Sequence, residues 1–390
     1  MSATHTIQST AAAGPVLYVA LELGWKDWKL AFTVGMGQKP RLRTIAGRDT
    51  ELLLVEVKKA KRRFGLPEQA PVVSCYEAGR DGFWLHRFLV ASGIQNLVVD
   101  SASIEVNRRR RRAKSDGLDV TKLVEMLIRW RNGESKTWKL VNVPSCEDED
   151  LRQPHRELLE LKIERTEHVN RIKGLLASLG LSISVNAQLP EVLKQLRQWN
   201  DTEVPPEMQR RILREFERWQ LVQRQIRELE ARRTKELRND ETPGVEKVRQ
   251  LLTLKGIGEN GAWILVREIF GWRLIRSGRE LGSLAGLTAT PYDSGGTRCE
   301  QGISKAGNRR VRCMMIELGW SWLHYQPMSE LSRWYRRRFG MGNSRLRKVG
   351  IVALARKLLI ALWKYLETSE PPKGARLMGQ KFKLRLKRAS

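Results

Sequence analysis

The stretch Val16-Leu-Tyr-Val-Ala-Leu-Glu-Leu-Gly-Trp-Lys-Asp-Trp-Lys-Leu-Ala-Phe-Thr-Val34 decides how the first third of this chain folds. Val16 to Leu23 is a β-rich run, Trp28 to Val34 a second, and Pro40 to Ile45 a short third. Asp49 can cap a helix running to about Arg63. Val72 to Glu77 has the pattern of a buried strand, Gly82 to Ala91 reads as helix, and Asn96 to Asp100 as another strand. Asp116 to Trp130 is an amphipathic helix with Leu118, Leu123, Leu127 and Trp130 near one face.

Three strands followed by alternating helix and strand is the order of a ribonuclease-H-like sheet, whose first three strands form an antiparallel meander. Pattern alone leaves other α/β folds open. Near residue 146 the composition shifts. Pro154 fits the first turn of a long charged helix reaching about Leu179, and Pro205-Pro206 open a second, to about Arg238. Both interleave Glu and Arg, as the helices of a coiled-coil hairpin or dimer arm do; two ordinary bundle helices are the alternative. From about Thr242 the chain reads as mostly helical. Leu254-Lys-Gly-Ile-Gly-Glu-Asn260 resembles a helix-hairpin-helix turn, where helix N-terminal amides receive a DNA phosphate, and equally fits a plain interhelical turn. Lys373 to Arg388 alternates basic and apolar residues, as a nucleic-acid-ordered tail does. The division is an α/β domain over 1–145, a helical arm over 146–241 and a helical domain over 242–390.

Composition bounds the partners. The 390 residues hold 71 Lys and Arg against 43 Asp and Glu, a formal charge of +28, so a polyanion is the natural counter-surface. Hydrophobic content of 41% excludes a disordered basic tail. Cysteines at 75, 146, 299 and 313 lack Cys-x-x-Cys spacing, which argues against structural zinc and for reduced thiols in a cytoplasmic protein. The start of the chain lacks the charge and apolar run of a signal peptide, and no apolar run is long enough to span a membrane.

Candidate chemistry falls into two sets. Glu22 and Glu77 end predicted strands, and Asp116 and Asp119 open the helix after the fifth strand. In a meander-plus-alternation topology these positions converge at one sheet edge, and residues three apart on a helix share a face. Four convergent carboxylates need a cation, and hard oxygen ligands favour Mg²⁺ or Mn²⁺. Taken singly each is more often structural: Asp116 could be a cap, and Glu22 could pair with Lys26. The second set is Ser294, in Pro291-Tyr-Asp-Ser-Gly-Gly296, followed by Arg298, Lys305, Arg309, Arg310 and Arg312. A hydroxyl attacks phosphorus well only when its proton is removed and the phosphoryl charge is stabilised, which arginines or a metal can do. A serine in a Gly-flanked turn is also an ordinary turn residue. The run Arg108, Arg109, Arg110, Arg111, Arg112 can cover a phosphate backbone or be a solvated charge run.

These motifs, in order, resemble the DEDD-type insertion-sequence transposases of the one-ten family, bridge-RNA-guided serine recombinases. The resemblance spans nearly the whole chain. It is carried by Val19-Ala-Leu-Glu22, Cys75-Tyr-Glu77-Ala, Lys114-Ser-Asp116-Gly-Leu-Asp119, Gly256-Ile-Gly258, Ala285-Gly-Leu-Thr288, Tyr292-Asp-Ser294-Gly and Ser304-Lys-Ala-Gly307. It implies a RuvC-like domain with Glu22, Glu77, Asp116 and Asp119 as the metal set, and Ser294 as a nucleophile forming a phosphoserine link to DNA. It also implies a coiled-coil dimerisation arm and a site assembled between protomers of a tetramer. A structured noncoding RNA would pair with target and donor DNA. One departure stands out: the family's first acidic position is normally Asp, and here it is Glu22, one methylene longer.

The reading is therefore a bacterial transposase, nucleoid-associated in the cytoplasm, that cuts and rejoins DNA with Mg²⁺ and a guide RNA. Its rivals are a metal-dependent nuclease of Holliday-junction-resolvase type, in which Ser294 is structural, and a non-enzymatic nucleic-acid-binding protein.

Overall fold

The computed structural model describes residues 14–104, 116–134, 136–238, 242–294 and 297–379. Internal contacts divide the chain into two units, Met1–Val143 and Pro144–Ser390.

The first unit is built on β1 (Leu17–Leu23), β2 (Asp27–Thr33), β3 (Arg41–Ala46), α1 (Thr50–Arg63), β4 (Val72–Glu77), α2 (Trp84–Ala91), β5 (Gln95–Val99) and α3 (Asp116–Arg131). Every element expected here is present, with boundaries within two residues. The sheet order is β3-β2-β1-β4-β5. β1, β2 and β3 form the antiparallel meander, and β4 and β5 run parallel to β1. The period-two alternation of β1 explains the layering. Leu17, Val19 and Leu21 pack with Leu53, Val57, Leu85 and Leu89 of α1 and α2. Tyr18 and Ala20 pack on the other face with Val120, Leu123, Val124 and Leu127 of α3. Asp49 caps α1 as expected, its carboxylate accepting from the Leu52 amide at 2.9 Å.

The second unit starts with α4 (Cys146–Asp150), α5 (Gln153–Ala177), α6 (Leu189–Gln195) and α7 (Pro206–Glu236). Pro154 and Pro206 sit in the first turns of the two long helices, where their missing N–H costs nothing. The long helices pack against each other within one chain. Leu158 and Leu161 meet Val222 and Ile226, and further out Ile172 and Leu176 meet Ile212 and Phe216 beneath α6.

Next come α8 (Val245–Leu252), α9 (Glu259–Leu265, continuing as a π-helical turn Val266–Phe270), α10 (Gly278–Leu284), β6 (Ala289–Ser294), β7 (Thr297–Ile303), α11 (Arg309–Tyr325), α12 (Glu330–Phe339) and α13 (Ser344–Thr368). Trp263, Trp322, Leu358 and Leu362 anchor their common core. The turn between α8 and α9 is braced by α11. Gly256 has φ +93°, its carbonyl accepts from Ser321 Oγ at 2.7 Å, and the Lys255 carbonyl accepts from Gln326 Nε2 at 2.7 Å. The hairpin β6–β7 interrupts what the sequence predicts as a mostly helical region. Its register shifts between Ala289 and Pro291, as suits a proline in a strand. The expected tail lies outside the described residues from 380 on.

Candidate active site

The carboxylates of the first unit gather by backbone geometry. β1 and β4 are parallel with Leu21 opposite Tyr76, so Glu22 and Glu77 come next at the same edge of the sheet. Alternation places Glu22 with Tyr18 and Ala20, and Glu77 with Val73 and Cys75; those four neighbours pack in the layer that α3 covers. Asp119 is exposed in the first turn of α3, one residue before Val120, which enters that same layer. Asp116 opens the helix, and its side chain lies outside the described residues, as do Arg108 to Arg112 altogether. Among the described residues, no three His, Cys, Asp or Glu side chains form a metal-binding group.

In the second unit Ser294 is the last residue of β6, its Cα opposite that of Thr297 on β7. It is the last strand residue before the Gly295-Gly296 pair of the sequence; its side chain lies outside the described residues. The foot of the hairpin is two segments laid backbone against backbone. The Ser304 amide donates to the Thr288 carbonyl at 2.9 Å, that of Lys305 to Gly286 at 3.3 Å, and that of Asn308 to Leu284 at 2.7 Å. Glycine is required twice. Gly286 has φ +65°, and a Cβ there would lie 2.1 Å from the Ala306 carbonyl oxygen; Gly307 has φ +103°, and its Cβ would lie 2.3 Å from that of Leu284. Ala285-Gly-Leu-Thr288 and Ser304-Lys-Ala-Gly307, distant in sequence, thus form one joint.

Helix α11 leaves that joint. Asn308 caps it, Oδ1 accepting from the amides of Arg310 and Val311 at 3.0 and 3.2 Å. The Asn308 side-chain amide donates to Glu268 Oε2 at 2.7 Å, and Arg156 of α5 donates to the same carboxylate through Nε and Nη2. The basic residues divide by role. Arg312 donates to the backbone carbonyls of Lys305 at 2.9 Å and Ala285 at 3.4 Å, bracing the joint. Arg310 pairs with Glu160 of α5 at 3.2 Å. Lys305 and Arg309 are exposed.

Glu268 is fully buried. Burial would raise its carboxyl, but the Arg156 hydrogen bonds and charge, with the Asn308 amide, hold it below the usual carboxylate range. Nearby, Arg233 donates to His155 Nδ1 at 2.5 Å, which places the imidazole proton on Nε2. Burial, then the Arg233 charge, push His155 down to about 3. Sequence reading missed this network. Its signal was Arg267-Glu268 inside the apolar run Trp263 to Phe270, since a buried charge needs a partner.

Residues 248–336, from α8 into α12, match the profile of the Transposase IS116/IS110/IS902 family. The chain is similar to the "Putative transposase y4rJ" of Sinorhizobium fredii, 38% identical over 375 residues, which cover 92% of this chain and 94% of that one. The chain belongs to the IS116/IS110/IS902 family of transposases. It is also similar to the "Transposase for insertion sequence element IS1328" of Yersinia enterocolitica, 27% identical over 224 residues, 56% of this chain and 64% of that one. Family similarity therefore reaches both units of this transposase, and the profile match contains the hairpin, its glycine joint and the basic helix. Among the described residues, no helix is long and apolar enough to cross a membrane.

Proposed function

We propose that this transposase cuts and rejoins DNA by transesterification, using a carboxylate-edged RuvC-like unit and the hydroxyl of Ser294. The observation that carries the reading is the joint placement of Glu22 and Glu77 at one edge and one face of a β3-β2-β1-β4-β5 sheet, beneath the helix that bears Asp116 and Asp119. Carboxylates are hard donors that fit Mg²⁺ or Mn²⁺, and Glu22, Glu77, Asp116 and Asp119 would hold it. When bound, the cation stabilises negative charge on the phosphoryl oxygens. In the reaction Ser294 Oγ bonds to phosphorus, the bond from phosphorus to the leaving deoxyribose oxygen breaks, and that oxygen gains the proton lost by the serine. The incoming strand's hydroxyl reverses the step, so the phosphoserine keeps the bond energy without ATP. Lys305 and Arg309, exposed at the hairpin foot, can meet the DNA backbone.

Sequence choice belongs to a guide RNA in this reading: a charge of +28 comes without a recognisable base-reading module. The RNA would pair with target and donor duplexes, and the α5–α7 arm would build the dimer and tetramer that bring the units of different protomers together. The test is denaturing electrophoresis of an end-labelled suicide DNA substrate. Wild type should give a slow-migrating, protease-sensitive band that Ser294→Ala lacks while still binding nucleic acid. Normal recombination by Ser294→Ala would instead favour hydrolysis by a resolvase-like nuclease.

A further inference from the structure

Three loops meet at the edge of the sheet where β1 and β4 end, next to Glu22 and at Glu77. They are the β1–β2 turn, the β3–α1 loop and the β4–α2 loop, and together they build a single cluster. Trp25 is 62% exposed, an unusual position for an indole that no apolar core explains. The Arg48 guanidinium lies over its ring at 4.6 Å and that of Arg80 at 4.7 Å. Asp81, whose side chain is only 7% exposed, sits between the two arginines, 3.2 Å from Arg48 Nη2 and 3.8 Å from Arg80 Nη2.

The backbone under this cluster is tightly determined. Arg48 has φ +68°, a left-handed conformation that a non-glycine residue holds only when its surroundings impose it, as at ligand clamps. Gly47 donates to the Lys26 carbonyl, and a Cβ at 47 would lie 2.9 Å from the Trp25 carbonyl oxygen. A Cβ at Gly24 would lie 2.4 Å from the Asp27 carbonyl oxygen. Two glycines and one strained arginine thus fix the turn that carries an exposed indole.

We propose that Arg48, Trp25 and Arg80 form a phosphodiester clamp that holds the DNA strand beside the carboxylate edge. The inference rests on the reading of that edge as the strand-cutting site. A guanidinium held over an indole by cation–π attraction and tied to Asp81 loses freedom to swing, and its in-plane N–H groups match the two free oxygens of a phosphodiester. Each has five N–H donors, so pairing with Asp81 leaves others for phosphate. Asp81 cancels one of the two charges, so the cluster keeps net positive charge next to Glu22 and Glu77, with exposed Lys26 beside it. DNA is favoured over RNA because the clamp flanks the carboxylates that act on DNA.

The test uses the full chain carrying Ser294→Ala, in EDTA, so that binding is read without cleavage and failure of the catalytic reading leaves the result interpretable. Affinity for a labelled duplex of random sequence is followed against salt. Arg48→Ala with Arg80→Ala should lower the slope of log K against log salt by about two, roughly one for each phosphate no longer neutralised. Arg80→Ala alone, off the strained position, should lower it by about one. Trp25→Ala removes no charge, yet should weaken binding several-fold, and Trp25→Phe should restore most of it. An unchanged slope in the double variant, or wild-type binding by Trp25→Ala, would overturn the clamp. Loss confined to a structured RNA, with duplex binding intact, would overturn the assignment to DNA.

Discussion

Arg156 and Glu268 meet through two hydrogen bonds, of 2.9 and 3.0 Å, across 112 positions of sequence. The pair joins the first turns of the arm to the cap of the helix that follows the Ser294 hairpin, because Glu268 also accepts from Asn308. Arg156→Met would leave a fully buried carboxylate without its hydrogen-bonded cation, held by the Asn308 amide. Such losses cost about 3–5 kcal/mol. Urea unfolding should show that deficit, and Glu268→Gln added to Arg156→Met should recover part of it. A deficit below about 1 kcal/mol, the worth of an exposed pair, would make Arg156–Glu268 an ordinary surface contact.

His155 makes stability depend on acid. Its ordinary value is 6.5, and in the fold it is held down to about 3. Below pH 6.5 the unfolded chain therefore takes up a proton that the folded chain refuses. Stability is present above 6.5 and is lost as pH falls toward about 3, by at most about 1.4 kcal/mol per pH unit. His155→Gln keeps an acceptor for Arg233 and should flatten that part of the profile in melting experiments. An equally steep loss between pH 6 and about 4 in the variant would assign the acid sensitivity to other groups.

Gly286→Ala and Gly307→Ala place a methyl group on a carbonyl oxygen at a left-handed φ. The backbone strain alone is worth about 1–3 kcal/mol, and the clash adds to it. Each variant should lose strand exchange while its first unit keeps its own melting transition. Full activity in Gly307→Ala would show that the joint can open without consequence for the hairpin.

Asp119→Asn should abolish strand cleavage in Mg²⁺ and leave nucleic-acid binding near wild type, since phosphate contacts supply the affinity. Glu22→Asp keeps the carboxylate one methylene shorter, the residue that the DEDD resemblance implies at this position, and should be tolerated. A gel assay on labelled DNA reads both; cleavage by Asp119→Asn at saturating Mg²⁺ would remove that residue from the site.

What could be read from sequence follows the range of the interactions. The first unit was legible because its strands alternate apolar and polar residues and its helices carry local caps such as Asp49. The long helices were legible from Pro154 and Pro206. The hairpin was not, although Gly295-Gly296 between Thr- and Tyr-containing runs is a hairpin signal; Pro291 and the irregular register masked it. Glu22 and Glu77 could be placed at one edge from strand order alone. Glu268 with Arg156, and Trp25 with Arg48 and Arg80, could not, because those contacts are made between segments that only the folded backbone brings together.

The arm has its own small hydrophobic clusters. Its outer part rests on Ile172, Leu176, Leu189, Leu193, Val204, Ile212 and Phe216, and among the described residues a smaller cluster of Leu158, Leu161, Val222 and Ile226, with Leu229 against it, is separate from both these and the main core. Outer and inner parts can therefore act as separate cooperative units, with different opening free energies. Amide hydrogens around Ile172 and Ile212 would exchange with solvent through local opening, before those of α13 near Leu358, which wait for the whole unit to unfold. The outer end of the helix pair can then melt and re-form while the glycine joint under the β6–β7 hairpin stays folded.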